Sequence, residues 1–370
     1  METIYLFGLN FEGIITAVYL RMHCFNVCFV DNDFEKLCDD YYEGMPCISI
    51  DVSNKSCLFI ITARKEVHIN EIKIQLEDSG VMSYIVLNET WYEHIIKEIS
   101  DEEYIRATWH FFMKKDINLK EPRTFNEKLN WIKLNDRNCI YTKMVDKYEA
   151  KRIVEKKIGK DHVIPTIDLL DDIDLLNPDK YPNTFVIKCT HDSGSVRIIN
   201  KRSEVDWGEL REYYKQRLSI NYFYKYREWP YKNVNPRIII EPCLQNDGED
   251  MLVVYKFFCF DGKPSIAQVI IGDKKDNETV DYVDMEWELL DISQQYPHSK
   301  NRIERPISWE NMKQMASVLS EGIPFVRVDF YDINKTAVFS EFTFFSDAGL
   351  VPFNPDKWDQ ILGEKIKLGG

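Results

Sequence analysis

On either side of a polar turn between Phe325 and Thr343, one arginine and two carboxylates are set into the otherwise apolar strands of a β-hairpin. The run Phe325-Val326-Arg327-Val328-Asp329-Phe330-Tyr331 leads through a turn at Asp332–Lys335 into Ala337-Val338-Phe339-Ser340-Glu341-Phe342-Thr343. Strand side chains alternate faces, so Val326, Val328 and Phe330 share an apolar face while Arg327 and Asp329 share the other. On the return strand Glu341 and Thr343 fall together, opposite Phe342 and Phe344. A turn centred near Asn334–Lys335 pairs Asp329 with a residue within one position of Glu341. Two carboxylates in that arrangement repel unless a cation joins them. Arg327 meets that need, and so does a hard cation such as Mg²⁺, which takes one or two carboxylates and completes its shell with phosphates and water. A solvated, salt-bridged sheet face is the plainer reading.

Two further strands carry a lone cation. Phe185-Val186-Ile187-Lys188-Cys189-Thr190 runs into His191-Asp192-Ser193-Gly194-Ser195 and then Val196–Ile199. A lysine in such a strand is costly to bury without an anionic partner. A tight Ser-Gly-Ser loop is able to turn successive N–H groups inward as an anion nest. His191 beside it reads either as a proton shuttle or phosphate contact, or as a loop-structural histidine. Tyr255-Lys256-Phe257-Phe258-Cys259-Phe260 meets Asp261-Gly262, a hairpin signal. The strand Arg237–Leu244 is stopped by Pro242, which donates nothing to a ladder and so leaves backbone groups open to a planar base. Lys188, Lys256, Arg327, the nest loop and the carboxylate hairpin are jointly explained by a nucleoside triphosphate with Mg²⁺.

A chain of 370 residues predicts two or three domains. The formal net charge of −14 argues against a nucleic-acid coat or a polybasic membrane anchor, though not against a few local cations around a small anion. Nine scattered cysteines without a CxxC pair suit a reducing compartment. Ile4–Leu9 is too short for a signal peptide or a membrane span, so the expectation is a cytoplasmic, soluble protein. Over the first ninety-odd residues, strands expected at Ile4–Phe7, Asn26–Val30, Leu58–Thr62 and Tyr84–Leu87 alternate with helical stretches, a βαβ rhythm. Gly8-x-x-x-x-Gly13, with Asp31 and Asp33 beyond it, echoes a dinucleotide-binding loop whose middle glycine is replaced by Asn10. It reads either as a degenerate unit that packs or docks a partner, or as a nucleotide site. The segment after it turns helical and aromatic, and Thr124 with Glu127 forms a capping-box signature.

Taken together, Thr124–Trp131, Thr142–Tyr148, Val186–Gly194, Arg227–Lys232, Tyr255–Phe260 and Pro324–Asp329 resemble the TupA-like branch of the ATP-grasp superfamily, associated with cell-surface polysaccharide biosynthesis. The resemblance spans about Thr124 to Leu368. It implies an α+β ATP-grasp fold of two α+β subdomains, preceded here by a small Rossmann-like α/β domain. The boundaries expected are 1–95 for the Rossmann-like domain, 96–123 for a helical linker and 124–370 for the ATP-grasp body. By the family pattern Lys147 and Lys188 would hold ATP phosphates or the adenine edge, with Ser193, Gly194 and Ser195 as lid loop. Glu241 to Leu244, Cys243 included, would form the adenine hinge, and Lys256 would add to the nucleotide site. Asp329, Glu341 and Thr343 would bind Mg²⁺. Arg327 would steady the transferred phosphate, with Lys188 and His191 as further catalytic groups. The sequence departs from the pattern where Thr343 stands in place of asparagine and where Phe344–Gly349 carries Asp347 near the acceptor pocket.

The chemistry this implies is ATP-dependent activation of a carboxylate, such as a sugar acid of a capsular or surface polysaccharide precursor, followed by amide formation with an amine or amino acid. The alternatives are phosphoryl transfer to a sugar hydroxyl, or a non-catalytic nucleotide-binding module. Partners expected are small molecules or glycan precursors, with no nucleic acid and no integral membrane association. Homo-oligomerisation or docking would use the N-terminal domain.

Overall fold

The structure, a computed structural model, describes residues 3–245, 252–273, 277–301 and 303–369; positions 1 and 370, the outer bounds set above, lie outside them. The chain divides into two compact units, residues 1–117 and 118–370.

The first unit is built on a sheet of β1 (Thr3–Phe7), β2 (Asn26–Val30), β3 (Cys38–Tyr42), β4 (Met45–Ile48), β5 (Leu58–Ile61) and β6 (Tyr84–Val86), in the order β3-β4-β2-β1-β5-β6. All pairings are parallel except β3 with β4, an antiparallel hairpin. Both faces of β1 and β5 are buried, which is why these strands are apolar throughout. One face is covered by α1 (Phe11–Met22), α3 (Glu89–Glu98) and α4 (Asp101–Met113), the other by α2 (Glu66–Asp78). Within residues 96–123, expected as a helical linker, α4 takes up Asp101–Met113. Its Tyr104 and Ala107 are buried in the same core as Ile14 and Leu20 of α1, because an amphipathic helix buries its apolar stripe on the nearest sheet layer.

The glycine loop closes on itself. Gly8 has φ +111°, and a Cβ on Gly13 would stand 2.7 Å from the Gly8 carbonyl oxygen. Asn10 caps α1 by accepting from the Gly13 N–H at 2.8 Å, and its amide donates to the Thr62 carbonyl at 3.0 Å. Asp31 Oδ2 accepts from the Leu9 N–H at 3.0 Å. The side chain at the middle-glycine position therefore occupies the helix N-terminus that a pyrophosphate would use.

The second unit opens with α5 (Phe125–Asn135), started by the expected reciprocal capping box of Thr124 and Glu127, followed by α6 (Ile140–Val145) and α7 (Lys147–Ile158). A four-stranded antiparallel sheet follows, comprising β7 (Asp168–Leu170), β8 (Phe185–Cys189), β9 (Arg197–Ile199) and β10 (Ile238–Pro242), in the order β7-β10-β8-β9. The helix α8 (Trp207–Ser219) packs on it through Tyr214, and the short α9 (Phe223–Tyr226) leads back towards β10. The second sheet is antiparallel too: β11 (Val253–Phe260), β12 (Lys263–Ile271), β13 (Thr279–Asp284), β14 (Val326–Ile333) and β15 (Thr336–Thr343), in the order β13-β12-β11-β14-β15. The helix α10 (Trp309–Ser320) buries Trp309 and Met312 with Phe257, Val328 and Phe330 against one face, and α11 (Lys357–Lys365) packs on α5. Turns at Asp261-Gly262 and Asn334-Lys335 both have positive φ at both central residues, the backbone that tight two-residue hairpins require. No helix among the described residues is long and apolar enough to cross a membrane.

Candidate active site

The five-stranded sheet carries a single polar row across all its strands. Tyr282 of β13 stands opposite Gln268 of β12, which stands opposite Lys256 of β11; Lys256 faces Asp329 of β14, and Asp329 faces Glu341 of β15. This follows from the period of two along each strand: with the turns in place, the residues one position from the apolar core positions all reach the other face. Asp329 and Glu341 are the direct pair expected from the hairpin, and a bulge follows immediately, so that Phe330 pairs with Phe339 and Ser340 is left over.

Arg327 joins the carboxylates. Its Nε and Nη2 donate to the two oxygens of Asp329, each at 2.8 Å, and Nη2 lies 3.9 Å from Glu341 Oε1. The same guanidinium donates to Thr343 Oγ1 at 3.1 Å and to Ser346 Oγ at 3.2 Å. Burial pushes the Asp329 carboxyl up even with Arg327 and Lys256 pulling it down. Burial alone would lower Arg327, but Asp329 outweighs it and keeps the guanidinium charged. The Asp329 side chain is 1% exposed and that of Glu341 40%, so Glu341 is the carboxylate open to a ligand. Asp329, Glu341 and the Thr343 hydroxyl offer hard oxygens of the kind Mg²⁺ takes when phosphates complete its shell, with Glu341 the exposed one and Asp329 engaged by Arg327. Among the described residues no group of three or more His, Cys, Asp or Glu is arranged around a cation position.

A second cluster lies on the four-stranded sheet. Glu241 of β10 is buried and takes Lys188 of β8 at 2.6 Å and Lys151 of α7 on its other oxygen. Burial would raise its carboxyl, yet Lys188 and Lys151 together hold it below the ordinary value. This changes the reading of Glu241: its side chain is held between two ammonium groups, so it does not face a base. It also supplies the anionic partner that Lys188 needs. Lys256 is likewise paired, with Asp273 at 3.3 Å. All three strand cations therefore have carboxylates of their own, and a bound anion is not required to explain their burial. Cys243 and Leu244, half-buried just past β10, leave the strand where Pro242 ends it, and burial raises the Cys243 thiol.

Lys147 connects the two clusters. It opens α7 behind Asp146, which caps the helix and pairs with Arg237 at 2.9 Å. Its N–H donates to the Thr190 carbonyl at 3.1 Å and its ammonium to the Asp192 carbonyl. Burial lowers its pKa against the pull of Asp192 and Glu341, with Lys188 adding to the lowering. In the loop, the Ser195 hydroxyl accepts from the Cys189 N–H at 2.9 Å and donates to Asp192 Oδ1 at 2.6 Å, while Arg217 pairs with Asp192. The Ser195 side chain thus serves the loop, not a ligand. Gly194 has φ +92°, and the N–H groups of Ser193 and Gly194 have no acceptor among the described residues. His191 is buried, with Nε2 against the Arg217 carbonyl at 3.2 Å and its pKa lowered by burial. That placement is the loop-structural one.

Sequence reasoning passed over Lys151, whose partner lies ninety residues on, and Glu228, buried near Lys133, Arg327 and Asp347. Its only local signal was an acid inside the Arg227–Lys232 segment.

The sequence matches the family model described as TupA-like ATPgrasp over residues 127–367, about two-thirds of the chain. The chain belongs to that family. This ATP-grasp protein has an α+β body of two sheets that follows a Rossmann-like α/β unit in the sequence. No curated protein sequence matches it. Similar solved structures include an L-amino acid ligase from Bacillus licheniformis, at 10% identity, covering 100% of this chain and 76% of that one with a TM-score of 0.38. The D-alanine–D-alanine ligase of Helicobacter pylori is 16% identical, covers 100% of both chains and has a TM-score of 0.32. N5-carboxyaminoimidazole synthetase of Staphylococcus aureus is 12% identical, covering 100% of this chain and 78% of that one with a TM-score of 0.31.

Proposed function

We propose that this ATP-grasp protein is an ATP-dependent carboxylate–amine ligase whose carboxylate is a sugar acid of a surface or capsular polysaccharide precursor. The observation that carries this reading is the cation–carboxylate constellation on one sheet face, with Arg327 bound to Asp329 and Glu341 opposite it. Family membership supports the nucleotide half of it. The substrate carboxylate takes the γ-phosphoryl group of ATP, releasing ADP; the amine nitrogen then bonds to the acyl carbon and phosphate leaves. No protein nucleophile is needed, because positioning and charge stabilisation carry such transfers.

In this reading Lys147, Lys188 and the N–H groups of Ser193 and Gly194 face the phosphates. Glu241 orients Lys188 instead of touching the base, and the backbone of Cys243 and Leu244 serves as the adenine hinge. Asp329, Glu341 and Thr343 would hold Mg²⁺, which when bound neutralises charge on the phosphates. Arg327 steadies the group in transfer from its place beside the metal carboxylates, and Lys256 adds positive potential on the neighbouring strand.

The test is ADP release over a matrix of uronic acids and amines. ADP that appears only when both are present supports the ligase. Phosphate retained on the sugar would replace it with a phosphotransferase, and ATP binding without turnover would replace it with a non-catalytic module.

A further inference from the structure

The loop after β15 is held in a backbone that its residues do not favour. Asp347, Ala348 and Gly349 have φ of 48°, 54° and 62°, a left-handed run that is costly at the two non-glycine positions. Helix α5 holds it there. Asn126, Asn130 and Lys133 recur at i, i+4 and i+7, one face of the helix. They donate to the carbonyls of Val351 at 3.0 Å, Gly349 at 2.9 Å and Ala348 at 2.8 Å. The fit is close: a Cβ on Gly349 would stand 2.9 Å from the Asn130 amide nitrogen.

The clamp presents one carboxylate. Ser346, Ala348 and Gly349 are buried, while Asp347 between them is exposed and lines a pocket with Lys256, Gln268, Tyr282, Tyr296 and Arg327. Arg327 Nη1 donates to Ser346 Oγ, which in turn donates to Asp347 Oδ2 at 3.1 Å, so the carboxylate is oriented through the arginine that holds Asp329. The two cations of this pocket are paired, Arg327 with Asp329 and Lys256 with Asp273. Among the described residues Asp347 has no ion-pair partner, whereas Glu278, the other carboxylate lining this pocket, is buried and partnered. The pocket beside the reacting groups thus offers a fixed, unpaired negative charge.

We propose that Asp347 is the specificity residue for the acceptor amine, taking it as the ammonium ion and receiving the proton that frees its lone pair, the second N–H proton leaving with the phosphate as the amide forms, and that Asn126, Asn130 and Lys133 are positioning residues that aim this carboxylate. The proposal rests on the ligase reading above. It is tested with the uronic acid and amine that release most ADP in the screen, set against hydroxylamine, which is uncharged at neutral pH and traps the activated carboxylate as a hydroxamate. The readout is the ratio of kcat/KM for the cationic amine to that for hydroxylamine. Asp347→Asn lowers this ratio about tenfold or more, the scale of a charge-assisted contact. Asp347→Gly does the same with a backbone suited to positive φ, so that loss of folding does not decide the result. Asn130→Ala lowers the ratio in the same direction. An unchanged ratio in folded Asp347→Asn and Asp347→Gly overturns the assignment of Asp347 and leaves the ligase reading standing. A lower melting temperature in Asn130→Ala with the ratio unchanged overturns the positioning role. Wild-type protein that yields neither ADP nor hydroxamate with any pair overturns the ligase reading and this proposal with it.

Discussion

Asp329 and Glu341 stand directly opposite each other on adjacent strands, yet only Asp329 is bonded through both oxygens to Arg327, at 2.8 Å each. The two carboxylates therefore separate by experiment. Glu341→Gln is expected to abolish Mg²⁺-dependent turnover with little change in stability, since Glu341 is 40% exposed. Asp329→Asn is expected to abolish turnover and also to destabilise the fold, by about 3 kcal/mol, because it leaves the buried Arg327 guanidinium without its counter-charge. Turnover assays beside urea unfolding check both; near wild-type turnover in either variant removes that residue from the metal role.

Lys188→Ala removes one of the two cations on Glu241 and one proposed phosphate contact. ATP binding should weaken by about 1–3 kcal/mol, the worth of a hydrogen bond to a charged group. Isothermal calorimetry measures it, and an unchanged affinity would count against the assignment.

The Glu241 pairs also set a pH dependence. Its folded pKa lies below the ordinary value of 4.5, so the stability it contributes is present above the unfolded pKa and is lost as pH falls through the folded one. The stability gap between wild type and Glu241→Gln should therefore be full at neutral pH and shrink below about pH 4. Urea midpoints at both pH values would reveal a constant gap if the pairs contributed nothing.

Lys335 sits at φ 68° in the turn joining β14 to β15. Lys335→Gly relieves a left-handed side-chain cost of about 1–2 kcal/mol against a chain-entropy loss of about 0.5–1 kcal/mol. A small rise in melting temperature is expected, without change in ATP affinity. A fall would mean that the lysine side chain stabilises the hairpin by more than its backbone costs.

The hairpin that carries Asp329 and Glu341 was legible because everything that sets it is local. An Asn-Lys turn fixes which residues face each other, and the period of two decides which side chains share the apolar face. The same holds for the Asp261-Gly262 turn, the Thr124–Glu127 capping box and the βαβ rhythm of the first unit. Even Asn10 was visible as a departure, although its capping bond to Gly13 was not.

What tertiary structure alone decided was who satisfies whom. Lys188 read as a cation awaiting an external anion; β10 and α7 bring Glu241 and Lys151 to it. Ser195 read as part of a lid loop over the nucleotide; the loop turns its hydroxyl onto Cys189 and Asp192. The Thr124–Trp131 segment read as a helix start and as part of the family resemblance, but its asparagines gain a purpose only where α5 meets a loop more than two hundred residues further on. Turn type and strand period act over a few residues and can be read in order. The partner of a buried charge is chosen by packing, which brings together residues that no spacing rule connects.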